Sequence, residues 1–286
     1  MKPGPFRYIA AQSVEEALDV LASAEEDVAI LAGGQSLVSL MNLRLARPDI
    51  VLDINRVPGL ATVQADDSGA RIGALARAAV VERDASVGRY VPALITAIGH
   101  IGHPQVRNRT TIGGNVAHAD PSSELPGLLA CMEGTVTLAS ASRGAREVGW
   151  DEFFISVFTT CKEPDELVTS VNFPMAPGWR YAYDEVATRH GDYPLAGVSM
   201  GLRVDGGVVQ EARVSVVGVA DRPVRLSSVE AAAAGQDASA ALARDMAGIA
   251  RTECPASDDA HVSAEHRRWL AGTLVSRLMA SMVDAA

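Results

Sequence analysis

Ala32-Gly33-Gly34-Gln35-Ser36-Leu37 and Thr111-Ile112-Gly113-Gly114-Asn115 are the two stretches that decide the reading of this chain. Paired glycines leave a bend free of side chains, so main-chain N–H groups there can converge on an oxyanion. One Gly-Gly pair alone reads as a tight strand-to-helix turn. Two of them, each beside an apolar run and followed by polar residues, suggest one large phosphate-bearing cofactor gripped from two sides. Neither is a dinucleotide fingerprint or a P-loop, because no G-x-G-x-x-G and no Gly-Lys-Ser/Thr occurs.

The first turn sits in α/β surroundings. Val28 to Ala32 is a short apolar strand leading into it, and a helix runs from Leu37 towards Leu45, stopped by Arg47-Pro48. Ile50 to Ile54 is a second strand. Upstream, Ser13-Val14-Glu15-Glu16 has capping-box spacing, and Val14, Ala17, Leu18 and Leu21 share one face of the helix that follows. Gln35 and Ser36 add side-chain donors to the turn. Around the second turn, Arg107, Asn108, Arg109, Thr110, Thr111 and Asn115 crowd donors about the glycines, while Ile112, Val116 and Ala117 tie it to a core. Ala70 to Leu75 reads as a strand and Val91 to Ile98 as a helix. Pro121-Ser122-Ser123-Glu124 resembles a helix start before the buried stretch Leu125 to Met132. Glu124 either accepts from a cofactor hydroxyl or caps that helix. Thr135 to Ala139 and Leu167 to Phe173 read as strands.

Pro174, Pro177 and Gly178 mark a linker, and the pattern changes beyond it. Arg180 to Ala187, Gly197 to Val204 and Val208 to Val219 form a meander, with Asp205-Gly206-Gly207 as a hairpin turn. Helices follow from Val229, from Ala238 to Arg251 and from Ser263 to Val283, the last with a stripe that includes Trp269 and Leu270. Gly197-Val198-Ser199-Met200-Gly201 matches the G-x-S-x-G nucleophile elbow, but Val198, Met200 and Leu202 alternate straight through it, so Ser199 is read as a strand residue. His190-Gly191-Asp192-Tyr193-Pro194 is a loop, either a plain turn or a place where an aromatic lies over a flat ring.

Composition narrows the function. The chain has 286 residues, 48% of them hydrophobic, with a net charge of −10. That acidity argues against nucleic-acid binding. No apolar run is long enough to span a membrane, and Met1 to Phe6 has no signal core, so a cytoplasmic location is expected. Cys131, Cys161 and Cys254 form no CxxC pair, so no iron–sulfur or zinc site is expected from this chain. His100 and His103 are separated by glycine-interrupted helix, which speaks against a metal site. No acid, base or nucleophile constellation stands out.

Together, Ala32 to Leu37, Thr111 to Asn115 and Gly191-Asp192-Tyr193 resemble the FAD-binding medium subunit of molybdenum hydroxylases, the carbon monoxide dehydrogenase and xanthine dehydrogenase family. The resemblance covers the whole chain. It implies an α+β architecture: an FAD-binding type-2 domain of the vanillyl-alcohol-oxidase (PCMH-like) kind at residues 1–176, made of two α/β subdomains. A C-terminal domain at 177–286 follows, a small antiparallel sheet with helices. By this likeness the backbone of Ala32, Gly33, Gly34, Gln35, Ser36 and Leu37 and of Thr111, Ile112, Gly113, Gly114 and Asn115 binds the pyrophosphate. Ile101, Glu124 and Val168 occupy cofactor-contacting positions, and Tyr193 lies beside the isoalloxazine ring.

The resemblance also implies the assembly. A large subunit hydroxylates substrate at a molybdenum cofactor, a small subunit carries two [2Fe–2S] clusters, and FAD here passes electrons to an external acceptor, in a dimer of heterotrimers. Xanthine-oxidising relatives have aspartate where Glu124 stands and lysine where Glu185 stands. An acid at Glu185 disfavours an anionic reduced flavin or an anionic acceptor, so NAD binding is not carried over. Two other readings compete: a self-contained FAD-dependent reductase or oxidase of the same fold, and an FAD-sensing scaffold.

Overall fold

The computed structural model describes residues 2–260 and 262–284; His261 lies outside them. Strand β1 (Arg7–Ala10), helix α1 (Val14–Ser23), β2 (Val28–Leu31), α2 (Leu37–Asn42) and β3 (Ile50–Asp53) form the first subdomain. Its three strands are parallel in the order β1-β3-β2. The capping box is real at one end: Ser13 Oγ accepts from Glu16 N–H at 3.1 Å, while Glu16 returns to the N–H of Gln12 at 2.6 Å. Ala17, Leu18 and Leu21 are the buried face of α1, packed with Leu52 and Ile54.

The second subdomain contains β4 (Val63–Asp66), β5 (Gly69–Gly73) and four short helices, α3 (Ala78–Val81), α4 (Ala85–Tyr90), α5 (Pro92–His100) and α6 (Pro104–Arg107). Then come α7 (Ile112–His118), α8 (Glu124–Met132), β6 (Thr135–Ser140), β7 (Gly144–Gly149), α9 (Trp150–Phe153), the hairpin β8 (Phe154–Ser156) and β9 (Thr159–Thr160), and β10 (Glu166–Pro174). The five strands β4-β5-β10-β6-β7 form one antiparallel sheet. Its core includes Ile72, Leu94, Ile98, Leu125, Leu128 and Phe173.

The last part is a sheet covered by helices. Strands β11 (Trp179–Ala187), β12 (Pro194–Asp205), β13 (Val208–Val217) and β14 (Val224–Arg225) are antiparallel in sequence order, followed by α10 (Ser227–Ala233), α11 (Ala240–Glu253) and α12 (Ala264–Asp284). Gly206 and Gly207 both have positive φ (56° and 80°), the combination a two-residue hairpin requires. One face of the sheet, with Val198, Met200, Leu202, Val214 and Val216, packs on the helices through Met246, Leu274 and Met279. The other face lies on α5 and α8 of the preceding subdomain. Trp269 departs from the expected stripe: it is 51% exposed and stacks on His266.

The G-x-S-x-G segment now has a packing explanation. Gly197, Ser199 and Gly201 point towards α8, because Val198 and Met200 between them face the helices. A Cβ on Gly197 would sit 2.6 Å from Tyr183 Oη, and one on Gly201 would overlap the Tyr181 ring. The glycines make room for two tyrosines of the neighbouring strand lying across them. Ser199 Oγ is buried with no hydrogen-bond partner. Removing an unsatisfied buried hydroxyl relieves its desolvation cost, so Ser199→Ala should leave stability unchanged or raise it by about 1 kcal/mol. Urea denaturation measures this, and a clear loss of stability would show that the hydroxyl is engaged.

Candidate functional site

Both glycine turns lie at helix starts, and they touch. The first is a loop between β2 and α2 with Gly33 buried. The main-chain N–H groups of Gly33, Gly34, Gln35, Ser36 and Leu37 donate to no protein acceptor among the described residues. Ser36 makes no side-chain cap bond either. Five consecutive free donors ahead of a helix are an anion cradle.

The second turn is built differently. Its glycines are inside the first turn of α7, capped by Thr111 Oγ1, which accepts from Gly114 N–H at 3.2 Å. Ile112 N–H donates to Ala76, Gly113 N–H to Ala74 and Asn115 N–H to the Thr111 carbonyl. This turn keeps only the Thr111 N–H free among the five residues. Its glycines serve close packing instead. A Cβ on Gly113 would be 2.5 Å from Ala74 Cβ, and one on Gly33 would overlap the carbonyl oxygen of Arg109, just before the second turn. Gly114 in turn faces Ala32. The jaws are therefore unequal: the first offers backbone donors, and the second buttresses it.

A network invisible in the sequence holds them together. Arg77, immediately before α3, donates from Nη1 to the Arg109 carbonyl and from Nη2 to Asn55 Oδ1 at 2.6 Å. Asn55 Nδ2 donates to the Ala32 carbonyl at 2.8 Å. Asp53 Oδ1 accepts from Asn55 N–H at 2.8 Å, and Tyr8 donates to Asp53 Oδ2 at 2.6 Å. Burial is the largest single influence on the Asp53 carboxyl and pushes it up, but hydrogen bonds from Tyr8 and Asn55 together outweigh it and hold the group below its ordinary range. Arg107, counted among the donors of the second turn, is buried elsewhere: it pairs with Glu82 at 2.9 Å and donates to the carbonyls of Ile101 and Gly102.

From the second turn a polar line leads to the seam with the last sheet. Ser123 precedes α8 but does not cap it; its hydroxyl donates to Asn115 Oδ1 at 2.8 Å. Glu124 follows, 4% exposed, with only the Ser123 hydroxyl at 3.5 Å as a side-chain partner. Burial pushes its carboxyl up to about 8, and repulsion from Glu185 adds to this. Because the folded chain holds this proton more tightly than the unfolded one, its contribution to stability is lost as pH rises from the usual carboxyl range towards 8.

Ile101 is buried beside this seam, at the end of α5. The loop before β12 rests on it: Gly191 has φ 88° and lies directly against Gly102 and His103. That loop presents Tyr193, 62% exposed, near the Asp120 carboxylate. Val168 lies apart from the others, buried in β10 at a bulge. It adjoins Thr169, whose carbonyl accepts from Ala74 N–H beneath the second turn. Among the described residues, no group of three His, Cys, Asp or Glu is arranged to hold a metal, and the three cysteines are unpaired.

Known proteins resemble this chain over both of its parts. Residues 4–176 match the FAD-binding domain in molybdopterin dehydrogenase, and residues 181–282 match the CO dehydrogenase flavoprotein C-terminal domain. The alpha subunit of the 6-hydroxypseudooxynicotine dehydrogenase complex of Paenarthrobacter nicotinovorans is 38% identical, aligned over 100% of this chain and 97% of the relative. The crystal structure of quinoline 2-oxidoreductase from Pseudomonas putida 86 contains a chain that superposes with a TM-score of 0.95 at 31% identity, covering 100% of this chain and 99% of the other. Carbon monoxide dehydrogenase from Hydrogenophaga pseudoflava superposes with a TM-score of 0.91 at 34% identity, covering 97% and 96%.

Proposed function

The chain belongs to the FAD-binding medium-subunit family of the molybdenum hydroxylases, and on that premise we propose that it is the FAD-carrying electron-transfer subunit of such an oxidoreductase. It passes electrons from the [2Fe–2S] clusters of a small subunit to an external acceptor, while hydroxylation takes place at a molybdenum cofactor on a large subunit. The assembly is a dimer of heterotrimers, located in the cytoplasm. No helix among the described residues is long and apolar enough to cross a membrane. The functional boundary between cofactor domain and C-terminal domain is placed at residues 176 and 177, between the end of β10 and the start of β11.

One observation carries the assignment of FAD to this chain: the run of five acceptor-free N–H groups at Gly33 to Leu37, set against the capped start of α7. That donor set fits a pyrophosphate, which needs several converging donors and no titrating side chain. Residues Ala32 to Leu37 would hold the pyrophosphate through their free N–H groups, with Thr111 to Asn115 packed behind them and only the Thr111 N–H left to donate. Glu124, Ile101, Val168 and Tyr193 would border the remainder of the cofactor. Bound FAD supplies the exchange between one-electron and two-electron transfer; this chain supplies binding, orientation and the electrostatic setting.

The test is reconstitution of the purified chain with FAD, followed by desalting. Stoichiometric flavin absorbance in the protein fraction is expected, and a colourless protein overturns the assignment. Turnover of the isolated chain with reduced nicotinamide should be negligible. High autonomous turnover would favour the self-contained reductase instead.

A further inference from the structure

The seam between α5, α8 and β11 holds a group of buried acids with a single basic partner. Glu185 is buried, its Oε2 accepts from Tyr183 Oη at 2.6 Å, and its Oε1 lies 3.3 Å from His100 Nδ1. His100 also meets Tyr183 and His190 edge to face, with centroids 5.6 and 6.1 Å apart. Glu124 faces the same group from α8, within reach of repulsion by Glu185 and Asp120. Tyr193 faces it from the loop before β12. Asp184, next along β11, is paired with Arg277 of α12 at 2.8 Å. No lysine or arginine pairs with Glu124 or Glu185 among the described residues.

Two neighbouring buried carboxyls without a lysine or arginine partner cannot both stay ionised cheaply. Geometry decides which keeps the charge. Glu185 has the tyrosine hydroxyl and the imidazole; Glu124 has its own main-chain N–H and one long bond to a serine. We propose that Glu185 is a positioning residue: paired with His100 and Tyr183, it carries the charge of this buried acid pair and keeps Glu124 a neutral acid, a hydrogen-bond donor towards the cofactor. This rests on the assignment of FAD to this chain. Hydrogen bonding to the Glu185 carboxylate in turn raises the His100 imidazole above its ordinary value, against the opposing effect of burial. The consequence is that Glu124 adds no charge to the cofactor border at neutral pH and adds an anion only when it loses its proton, around pH 8.

Infrared spectroscopy of the whole chain, with and without FAD, tests this through the C=O stretch of a protonated carboxylic acid. A band that titrates away near pH 8 is expected in the unsubstituted protein and absent at all pH values in Glu124→Gln. Glu185→Gln removes the repelling charge, so the midpoint should fall by at least about one pH unit. His100→Gln removes the imidazole that pairs with Glu185 and should move it upward. A merely structural role does not produce shifts of opposite sign. FAD affinity of the unsubstituted protein should weaken several-fold as pH crosses the midpoint, and that weakening should vanish in Glu124→Gln. A band that survives Glu124→Gln, or a midpoint unmoved in both other variants, overturns the proposal. A band that behaves as expected in a chain that binds no FAD would leave the acid pair standing and defeat the cofactor assignment instead.

Discussion

Gly33→Val is expected to yield a chain that no longer retains FAD through desalting. The reason is contact between the two turns. A Cβ at residue 33 overlaps the Arg109 carbonyl oxygen and comes within 3.1 Å of its carbon and 3.2 Å of Thr110 Cα. All three are main-chain atoms, so no flexible side chain can move aside. The loop must swing away from the second turn, and the free N–H groups of Gly33 to Leu37 lose their common direction. Overpacking of this kind costs about 1–3 kcal/mol of stability. The loss in FAD affinity should exceed about 100-fold, because several converging donors are misaligned at once. Gly113→Val should act similarly through Ala74, at 2.5–2.9 Å. Gly88→Ala, where nothing lies within 4 Å, is the control and should retain flavin. Thermal melting and flavin content after desalting read both effects. Retention by both valine variants would remove the pyrophosphate from these turns.

Much of this fold was legible because local signals agreed with long-range ones. The capping box at Ser13, the glycines at 206 and 207 and the alternation through Ser199 each specify backbone geometry over a few residues, and each appears where expected. Elements were missed where the local pattern is weak. Strand β1 has exposed Arg7 and Tyr8 and is recognisable only by its pairing with β3; β7 is polar and almost wholly exposed. The glycines of the second turn carried a motif but not its context. The N–H groups of Ile112 and Gly113 are spent on Ala76 and Ala74, far away in sequence, and that of Gly114 on the Thr111 cap.

The site was legible to a similar degree. Gly33, Gly113 and Asn115 could be singled out by composition, whereas Asn55, Arg77 and His100 have no distinguishing neighbours. Their roles come from tertiary hydrogen bonds alone. Glu185 was marked only by its contrast with a lysine in similar proteins, and its pairing with His100 and Tyr183 required the packing of β11 on α5. Glu124 was open between cap and cofactor contact. In the structure its carboxyl is buried at the first turn of α8, beside its own main-chain N–H and the Ser123 hydroxyl.

Arg77→Met should weaken FAD binding by about tenfold or more and destabilise the chain by about 1–3 kcal/mol, since it strips partners from two polar groups at once. The guanidinium spans the Arg109 carbonyl, ahead of the second turn, and Asn55 Oδ1. Asn55 in turn holds the carbonyl of Ala32, the first residue of the other turn. The chain of bonds thus fixes the spacing of the two turns, and neither Arg77 nor Asn55 needs to touch the cofactor for its loss to be felt. Arg77→Lys should not rescue, because one ammonium cannot reproduce two bonds from a planar fork to acceptors in different segments. Asn55→Ala should reproduce the defect, and the double variant should be little worse than either single one. A coupling of about 0.5–3 kcal/mol in that cycle is the signature of one shared strut. Fully additive effects, or unchanged FAD affinity in Arg77→Met measured by fluorescence titration, would mean that the turns hold their spacing through Gly33 and Gly113 alone.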